Sequence, residues 1–580
     1  MVTYDSGANA PEAPQPGFLR RLLFHTGHKA IGLQYLWLAL FSVFIGMITS
    51  LVMRIHLVWP GAPMPLFSGF GNMPERYAAL TLLHGSLMVF VVLTAAPQAG
   101  LGSYLLPIQI GARELAFPTL NMLAFWATVA SVLGITAAFF LQPEAGITLW
   151  AACVALFCAA SLASALNFSV TTIDLRAKGM TLPRLPITVW AWFLNAILGM
   201  LIFSILLAAC VYLLTDRILG THFFSAAGFL SGMPQSSRQP GFPAVWHRLF
   251  WFFAQAQVYV AMLPCFGITT HLLSTFSRKP VWAHRAVVLA LCGVGLFGFC
   301  VWGQHMFASG MNPYSGLVFS LLAASLGLPA SILVLSWFGT LWNAKIRLTT
   351  AMLFALGFVS LFLTGGLSGL ILARHDLTAA VNDDFITGHF HLVMGVAATF
   401  AMLGALFFWF PKMLGRRLDE RLGKIHFWLT FAGVYCVFMP MHWLGLISHS
   451  RISPGTPLAA IAAGSFLRYF TTVATLVTIA AQVLFLINFV GTLLRRKKAA
   501  QENPWRAATL EWSLPSPPAL ENFAAGEPTV YRGAYEFSAP HFEEDFVPQH
   551  LPPAASELRA QSQTTRGASV PRTTLPAETG

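Results

Sequence analysis

The feature that most limits what this chain can fold into is a series of long uncharged apolar runs between Ile31 and Val490. Each is near the ~20 residues that cross a bilayer core as helix. Hydrocarbon offers no partner to a backbone N–H or C=O, so a spanning segment must close its own hydrogen bonds, and single runs do so as α-helices. The expected fold is an all-α integral membrane protein of about twelve transmembrane helices. They are expected near residues 32–56, 79–107, 119–141, 147–171, 187–214, 248–274, 283–307, 315–338, 350–373, 385–410, 425–447 and 466–494. Composition agrees: 56% of the 580 residues are hydrophobic and 10% charged, where a soluble chain carries about 25% charged.

A net charge of +12 raises a nucleic-acid reading, and its distribution removes it. With the loops numbered alternately, one set holds Arg113, Arg176, Lys178, Arg184, Arg278, Lys279, Lys345, Arg347, Arg416, Arg417 and the run Arg495 to Lys498. The other holds Arg76, Arg217, Arg238, Arg248, Arg374, Arg451, Arg468 and little else. A bias of roughly threefold puts both termini in the cytoplasm by the positive-inside rule, and the chain in the inner membrane of a bacterium. The first thirty residues are polar, and the first apolar run is too long for a signal-peptide core, so no cleavable signal is expected. The seven cysteines fall inside predicted helices without a CxxC pair and read as small buried hydrophobes. The expected organisation is a cytoplasmic segment 1–30, a membrane domain 31–498 and a Pro-rich cytoplasmic tail 499–580, irregular and disordered over its last thirty residues.

Ionisable side chains inside membrane helices are costly, which makes each a functional candidate. His84, His271, His305, His389, His391, His426 and His442 fall in such segments. A lone membrane histidine is more often a buried hydrogen-bonding residue, and His271, His284, His426 and His442 lie near helix ends, where an interfacial role suffices. The string GHFHLVMG is different. Residues two apart on a helix differ by about 200° in direction, so His389 and His391 face opposite sides and each can take a separate cofactor. His84, in LLHGSLMVF, is followed by Gly85, which lets a flat macrocycle approach the backbone. Haem iron with two protein ligands serves electron transfer, whereas iron with one keeps an open site for a small molecule. Three histidines therefore suit one bis-histidine haem and one five-coordinate haem.

Longer strings carry a family resemblance. HGSLMVFVVLTAAPQAGLGSYLLPIQIGARELAFPTLNMLAFW, LNFSVTTIDLRAKGM, HRLFWFF, VYVAMLPCFGITTHLLSTFSRKPV, VWGQHMF, LFLTGGLSG, GHFH, FFWFPKMLG and FMPMHWLGL resemble subunit I of the haem-copper oxidases. NPWRAATLEWSLPSPPALENF resembles that family's end in the cytochrome c oxidase branch, so the likeness runs from about His28 to Phe523. It implies that His84 and His391 ligate a low-spin haem and that His389 ligates the high-spin haem where oxygen binds. It implies that Arg54 contacts the low-spin haem periphery, against the alternative of a snorkelling interfacial arginine. It also implies that Arg451 binds a propionate, its usual second arginine being Ile452 here. Further implied are partner subunits of types II and III, surrounding lipid, and cytochrome c as donor through a partner subunit. No nucleic acid is implied.

The departures from the family cluster in one region. Segments that usually read WFFGHPEVY and VWAHHMF read WFFAQAQVY and VWGQHMF. Two of the three copper-ligand positions thus become Gln255 and Gln304, and His305 alone is kept. An amide is a weak neutral donor, so one imidazole and two amides should hold copper far less tightly than three imidazoles. The proton-donating Glu is replaced by Gln257, which cannot titrate. Tyr259 is kept as a catalytic position beside His389, but its family cross-link partner, a histidine, is missing. The lysine of the second proton path is Leu333, preceded by Ala330, and the outer magnesium pair is Val381 and Asn382. On the main proton path Glu114 stands for Asp, Asn121 is kept and the earlier Asn is Ser103. Two readings follow. One is a divergent cytochrome c oxidase subunit I that passes electrons from a low-spin to a high-spin haem where oxygen is reduced. The other is a copper-free dihaem membrane protein acting as electron relay, gas binder or structural paralogue without proton pumping.

Overall fold

A computed structural model describes residues 24–59, 73–224, 243–309, 311–378, 381–450, 458–494, 501–523, 526–538 and 544–553. Among these, twelve helices are long and apolar enough to cross a membrane. They are α1 (His28–Val58), α2 (Glu75–Ile110), α3 (Pro118–Ala138), α4 (Pro143–Asp174), α5 (Ile187–Ile218) and α6 (Ala244–Ser277). The remainder are α7 (His284–Phe307), α8 (Pro313–Leu341), α9 (Thr350–Leu372), α10 (Asp383–Leu414), α11 (Glu420–Ile447) and α12 (Gly464–Leu494). The chain is an integral membrane protein with the expected all-α architecture. Each helix packs mainly on its sequence neighbours, α12 returns to α1, and α6 packs on α10 across the middle. The most buried spans are α2, α6 and α10.

Local chemistry accounts for many of the ends. Proline opens α3, α4 and α8, where a missing N–H costs nothing. Asn312, Thr349 and Asn382 cap α8, α9 and α10 by accepting backbone N–H bonds. Gly415 closes α10 at φ 63° against Pro517, a left-handed position where a Cβ would crowd the proline. Two features escape the apolar periodicity. Helix α2 passes from α to π geometry over Leu87–Gly102, and α10 does so over His391–Gly395. The end of α7 tightens to a 3-10 helix over Val301–Ser309.

The chain after α12 is irregular, as expected, but its described part packs firmly across one end of the bundle. Trp505 donates to the Phe408 carbonyl at 2.7 Å, and Lys412 donates to the carbonyls of Leu514 (2.6 Å) and Pro515. Asn522 bonds the Ala112 and Arg113 carbonyls and the His28 ring. Glu511, fully buried, accepts from Gln109 (3.0 Å) and Trp409 (3.2 Å). Its burial raises the carboxyl above the ordinary range, against the pull of those two donors. His271, expected at an interface, is instead fully buried under this segment, with Nδ1 3.1 Å from the Tyr535 hydroxyl. Residues 1–23 of the expected cytoplasmic start (1–30) and residues 554–580 of the expected disordered end (the last thirty) lie outside the described residues. Of the cysteines, Cys153, Cys158, Cys210 and Cys265 are buried, whereas Cys292 and Cys436 lie on exposed faces.

Asp545 ties the segment down through Arg278 (2.7 and 2.9 Å) and Arg347 (2.6 Å). Partial burial raises its carboxyl, but the Arg278 hydrogen bonds and charge, with Arg347 and Arg506, outweigh this and hold it below the ordinary range. A carboxylate held low in the fold adds stability above its unfolded pKa, and that stability is lost as pH falls through the folded value. Acidification is therefore expected to make residues 501–553 more protease-sensitive, and Asp545→Asn to be sensitive already at neutral pH with little further change on acidification. Equal protease sensitivity of the two proteins across the titration would remove this role.

Candidate haem-binding site

The three central helices α2, α6 and α10, with the end of α7, carry the residues singled out by sequence. His84 lies on α2 one turn before the π segment, and its Nδ1 donates to the Gly46 carbonyl of α1 at 3.0 Å, with the Thr49 hydroxyl 3.3 Å away. His391 begins the π segment of α10, and its Nδ1 donates to the Thr387 carbonyl at 2.8 Å. Its ring stacks on Phe438 of α11, centroids 4.5 Å apart and planes nearly parallel. His389 points elsewhere: its Nδ1 meets the Gly365 carbonyl and the Ser368 hydroxyl of α9, each at 3.0 Å. Neutral imidazole has one N–H, so bonding Nδ1–H to a carbonyl leaves the Nε2 lone pair as the free coordinating atom. Among the described residues nothing hydrogen-bonds the Nε2 of His84, His389 or His391.

Metal-ligating histidines commonly show this arrangement, in which the hydrogen bond at the far nitrogen fixes the tautomer and the direction of the ring. Space is present as well. A Cβ added at Gly85, beside His84, or at Gly366, within α9, would meet nothing within 4 Å. The residues therefore fit haem. The other membrane histidines are spent on protein contacts: His442 bonds the Phe438 carbonyl and Ser368 Oγ, and His426 bonds Gln482.

Arg54, at the end of α1, has poor partners: Met441 Sδ at 2.8 Å and Thr471 Oγ1 at 3.5 Å. Thioether sulfur is a weak acceptor, and no described carboxylate salt-bridges this guanidinium, so it can serve an anionic group. Arg451 and Ile452 lie outside the described residues. Arg468, not singled out by sequence, pairs with Asp384 at 3.0 Å near the start of α10. Asn382 caps that helix through Asp384 N–H at 2.9 Å, a structural use for a position that carries a metal ligand in the resembling family.

The three copper positions come together in space, with the wrong chemistry for the ion. Gln255 Oε1 accepts from His305 Nε2 at 2.6 Å and from Gln304 Nε2 at 3.0 Å. Gln255 Nε2 lies 3.4 Å from the Tyr259 hydroxyl. The His305 ring is pinned by stacking on Trp251, centroids 3.8 Å apart, and Trp251 donates in turn to His247. The histidine lone pair that would take a metal is replaced by an N–H bonded to an amide, so this set does not fit copper. No three His, Cys, Asp or Glu side chains converge elsewhere among the described residues.

Below it, Gln257 Nε2 donates to Thr94 Oγ1 at 2.5 Å, above a cavity of about 30 Å³ lined by Tyr35, Gln98, Thr128, Ser161, Ser164 and Asn195. That is room for a water or two. At the far end Ser103 donates to Asn121, and Glu114 accepts the His28 backbone N–H, its carboxyl raised by burial against the opposing effects of that bond and of Lys29. Leu333 is fully buried, and no charge can stand on the second path at that position. The signal sequence missed is the departure from α geometry at three places that bear these residues: after His84, at His391 and around Gln304 and His305.

Comparisons with known proteins show the family and the fold. Residues 30–473 match the family described as Cytochrome C and Quinol oxidase polypeptide I. The chain is 38% identical to an alternative cytochrome c oxidase subunit 1 of Bradyrhizobium diazoefficiens, covering 96% of this chain and 99% of that one. It is 36% identical to cytochrome c oxidase subunit 1 of Synechocystis, covering 89% and 92%. A chain of a heme-copper terminal oxidase dimer solved by cryo-electron microscopy superposes with a TM-score of 0.66 over 93% of this chain and 98% of its own. At 16% identity that likeness speaks to the fold alone.

Because Gln255 serves both donors, Gln255→Leu leaves two partly buried N–H groups without an acceptor. A loss of about 1–3 kcal/mol per unpaired group is expected. Thermal unfolding of the detergent-solubilised protein checks this, and an unchanged midpoint would mean that the amide hub does not exist.

Proposed function

The chain belongs to the cytochrome c and quinol oxidase polypeptide I family, and on that premise we propose that it is the dihaem electron-transfer subunit of a cytochrome c oxidase-like membrane complex. Its cytochrome c oxidase subunit I-like function is the common property of its relatives. In our reading His84 and His391 hold the low-spin haem, and His389 holds the high-spin haem. The haems supply one-electron transfer and, at the second, an open iron position for oxygen. The observation that carries the proposal is the shared pattern of the three histidines, each with Nδ1 tied to a carbonyl and Nε2 free.

The residues around them have distinct tasks. Gly46 and Gly365 carbonyls, on α1 and α9, orient rings on α2 and α10, so the ligands are set by helix packing rather than by loops. Phe438 holds the His391 ring in one plane. Arg54, and Arg451 by resemblance, offer cations to propionates. Tyr259, whose hydroxyl lies 3.4 Å from Gln255 Nε2, would be the residue able to hold a proton on this side of the second haem. Electrons reach this subunit from cytochrome c through a type II partner, with a type III subunit alongside. Both termini face the cytoplasm, the helices span the inner membrane, and residues 31–498 act as one haem-binding domain between two cytoplasmic segments.

A second reading, that the high-spin haem works without copper and the protein is a relay or gas binder that does not pump, is favoured by the Gln255 hub. Gln257 supports it, since the polar path beneath ends on a group that cannot carry a proton.

Two haems per chain are expected by pyridine haemochrome assay of the purified protein. His84→Ala and His391→Ala should each abolish the low-spin signal in reduced-minus-oxidised and electron paramagnetic resonance spectra while the high-spin signal stays. Retention of the low-spin signal in both variants would refute the ligand assignment. Metal analysis should find copper far below one per two haems, rising only when Gln255→His and Gln304→His are combined. One copper per two haems in the unaltered protein, with fast cyanide-sensitive oxygen uptake, would favour the first reading and remove the second.

A further inference from the structure

At the end of the bundle opposite the C-terminal segment, the first turns of α2 stand beside the last turn of α3 and the first turns of α4. Between them lies a cavity of about 280 Å³. Its apolar wall includes Ala79, Leu82, Leu83, Ile135, Phe139 and Trp150, and none of the haem-site histidines lines it. The wall is fixed rather than loose, because the Trp150 indole N–H donates to Ser86 Oγ of α2 at 2.9 Å. Leu82, Leu141 and Ile147, which also line the cavity, are exposed on the bundle surface, so it opens toward the surrounding bilayer.

Two charged side chains line this groove, Glu75, which has an interaction of its own, and Arg76, whose charge is unanswered. Glu144 also stands near the start of α4, and it is paired with Arg217 at 2.5 Å. Arg76 lines the cavity, yet no described residue accepts a hydrogen bond from it or pairs with it, and its Nε is buried without a partner. A guanidinium N–H removed from water without an acceptor is unfavourable. The planar fork of arginine matches the oxygens of a phosphate. An apolar trough opening into lipid, with an unpaired arginine at its polar end, asks for a molecule with an anionic phosphate and a long apolar chain.

We propose that the groove between α2, α3 and α4 binds one anionic glycerophospholipid, its phosphate on Arg76 and one acyl chain along Leu83, Ile135, Phe139 and Trp150. The site is separate from the haem site and does not depend on the function proposed above. An acyl chain gains little by leaving bulk lipid for an apolar groove, since lipid tails are as apolar as leucine. Selectivity therefore comes from the headgroup, and binding follows charge more than chain length.

The test is native mass spectrometry of the full-length protein, delipidated in detergent and titrated with phosphatidylglycerol or phosphatidylcholine, with haem absorbance as the check on folding. The unaltered protein is expected to retain one phosphatidylglycerol more tightly than any phosphatidylcholine. Arg76→Gln should weaken that one binding event by about tenfold, the scale of one charge-assisted hydrogen bond. Ala79→Trp, which fills the groove, should abolish it, and Arg374→Gln, which alters an exposed arginine already paired with Asp376, should leave it unchanged. If Ala79→Trp loses its haem absorbance, Arg76→Gln decides alone, because it keeps most of the side-chain stem. Equal retention by the unaltered protein and Arg76→Gln, equal binding of the two lipids, or polypeptide density in the groove by cryo-electron microscopy would overturn the proposal.

Discussion

The site depends on a single kind of contact, an imidazole Nδ1–H held by a backbone carbonyl inside an apolar bundle. A buried neutral histidine has one proton to place, and wherever that proton goes the other nitrogen becomes the base. Gly46, Gly365 and Thr387 take the proton of His84, His389 and His391. Two of these acceptors are glycines on neighbouring helices, and at Gly365 a Cβ would meet Val393 side chain and backbone below 3 Å. Ring direction is thereby welded to the approach of α9 and α10. The π segments belong to the same arrangement, since a turn with i→i+5 bonds shifts the residues after the histidine around the helix axis and widens the backbone there.

Much of the frame was legible in the sequence. Apolar length alone fixed twelve spans, because hydrocarbon leaves no alternative to a self-satisfied helix. The histidine string GHFH announced two ring directions through helix period, and the structure indeed sends His389 to α9 and His391 to Phe438. What was not legible were contacts made by backbone atoms, which have no sequence signature: nothing in the letters marks Gly46 or Gly365 as acceptors. The same holds for His271, read as interfacial from its place near a helix end. A distant tail segment covers it, and that distance in sequence is what hides the contact. The π and 3-10 departures were also invisible, since an apolar run reads alike in either geometry.

The altered metal position illustrates how an interior repairs a loss. Three imidazoles facing an ion would each need it; without it they would bury unpaired nitrogens and repel one another. Gln255 supplies one oxygen that accepts from both remaining donors, and Trp251 covers the face of His305. Such a closed polar group satisfies itself and loses the ability to respond to a guest, which is a trade of reactivity for order. At Gln257 only the amide N–H is answered, by Thr94, and the amide oxygen is buried without a partner among the described residues. The amides at Gln255 and Gln304 are thus hydrogen-bonded within their own cluster, whereas Leu333 only fills space.

The C-terminal segment has a consequence in time. Gln109 on α2, Arg278 just after α6, and Trp409 and Lys412 on α10 are all made before the tail, yet their buried polar atoms are answered by Leu514, Asp545 and Glu511. Those residues emerge from the ribosome after every helix has been delivered to the bilayer. Until then one end of the bundle is a surface of unanswered donors and bare aromatic rings. The last stretch of chain acts as a closing stitch, and its arrival separates an assembling intermediate from a sealed protein. A ribosome that stops short of Glu511 would release a chain with all its helices and an unfinished floor.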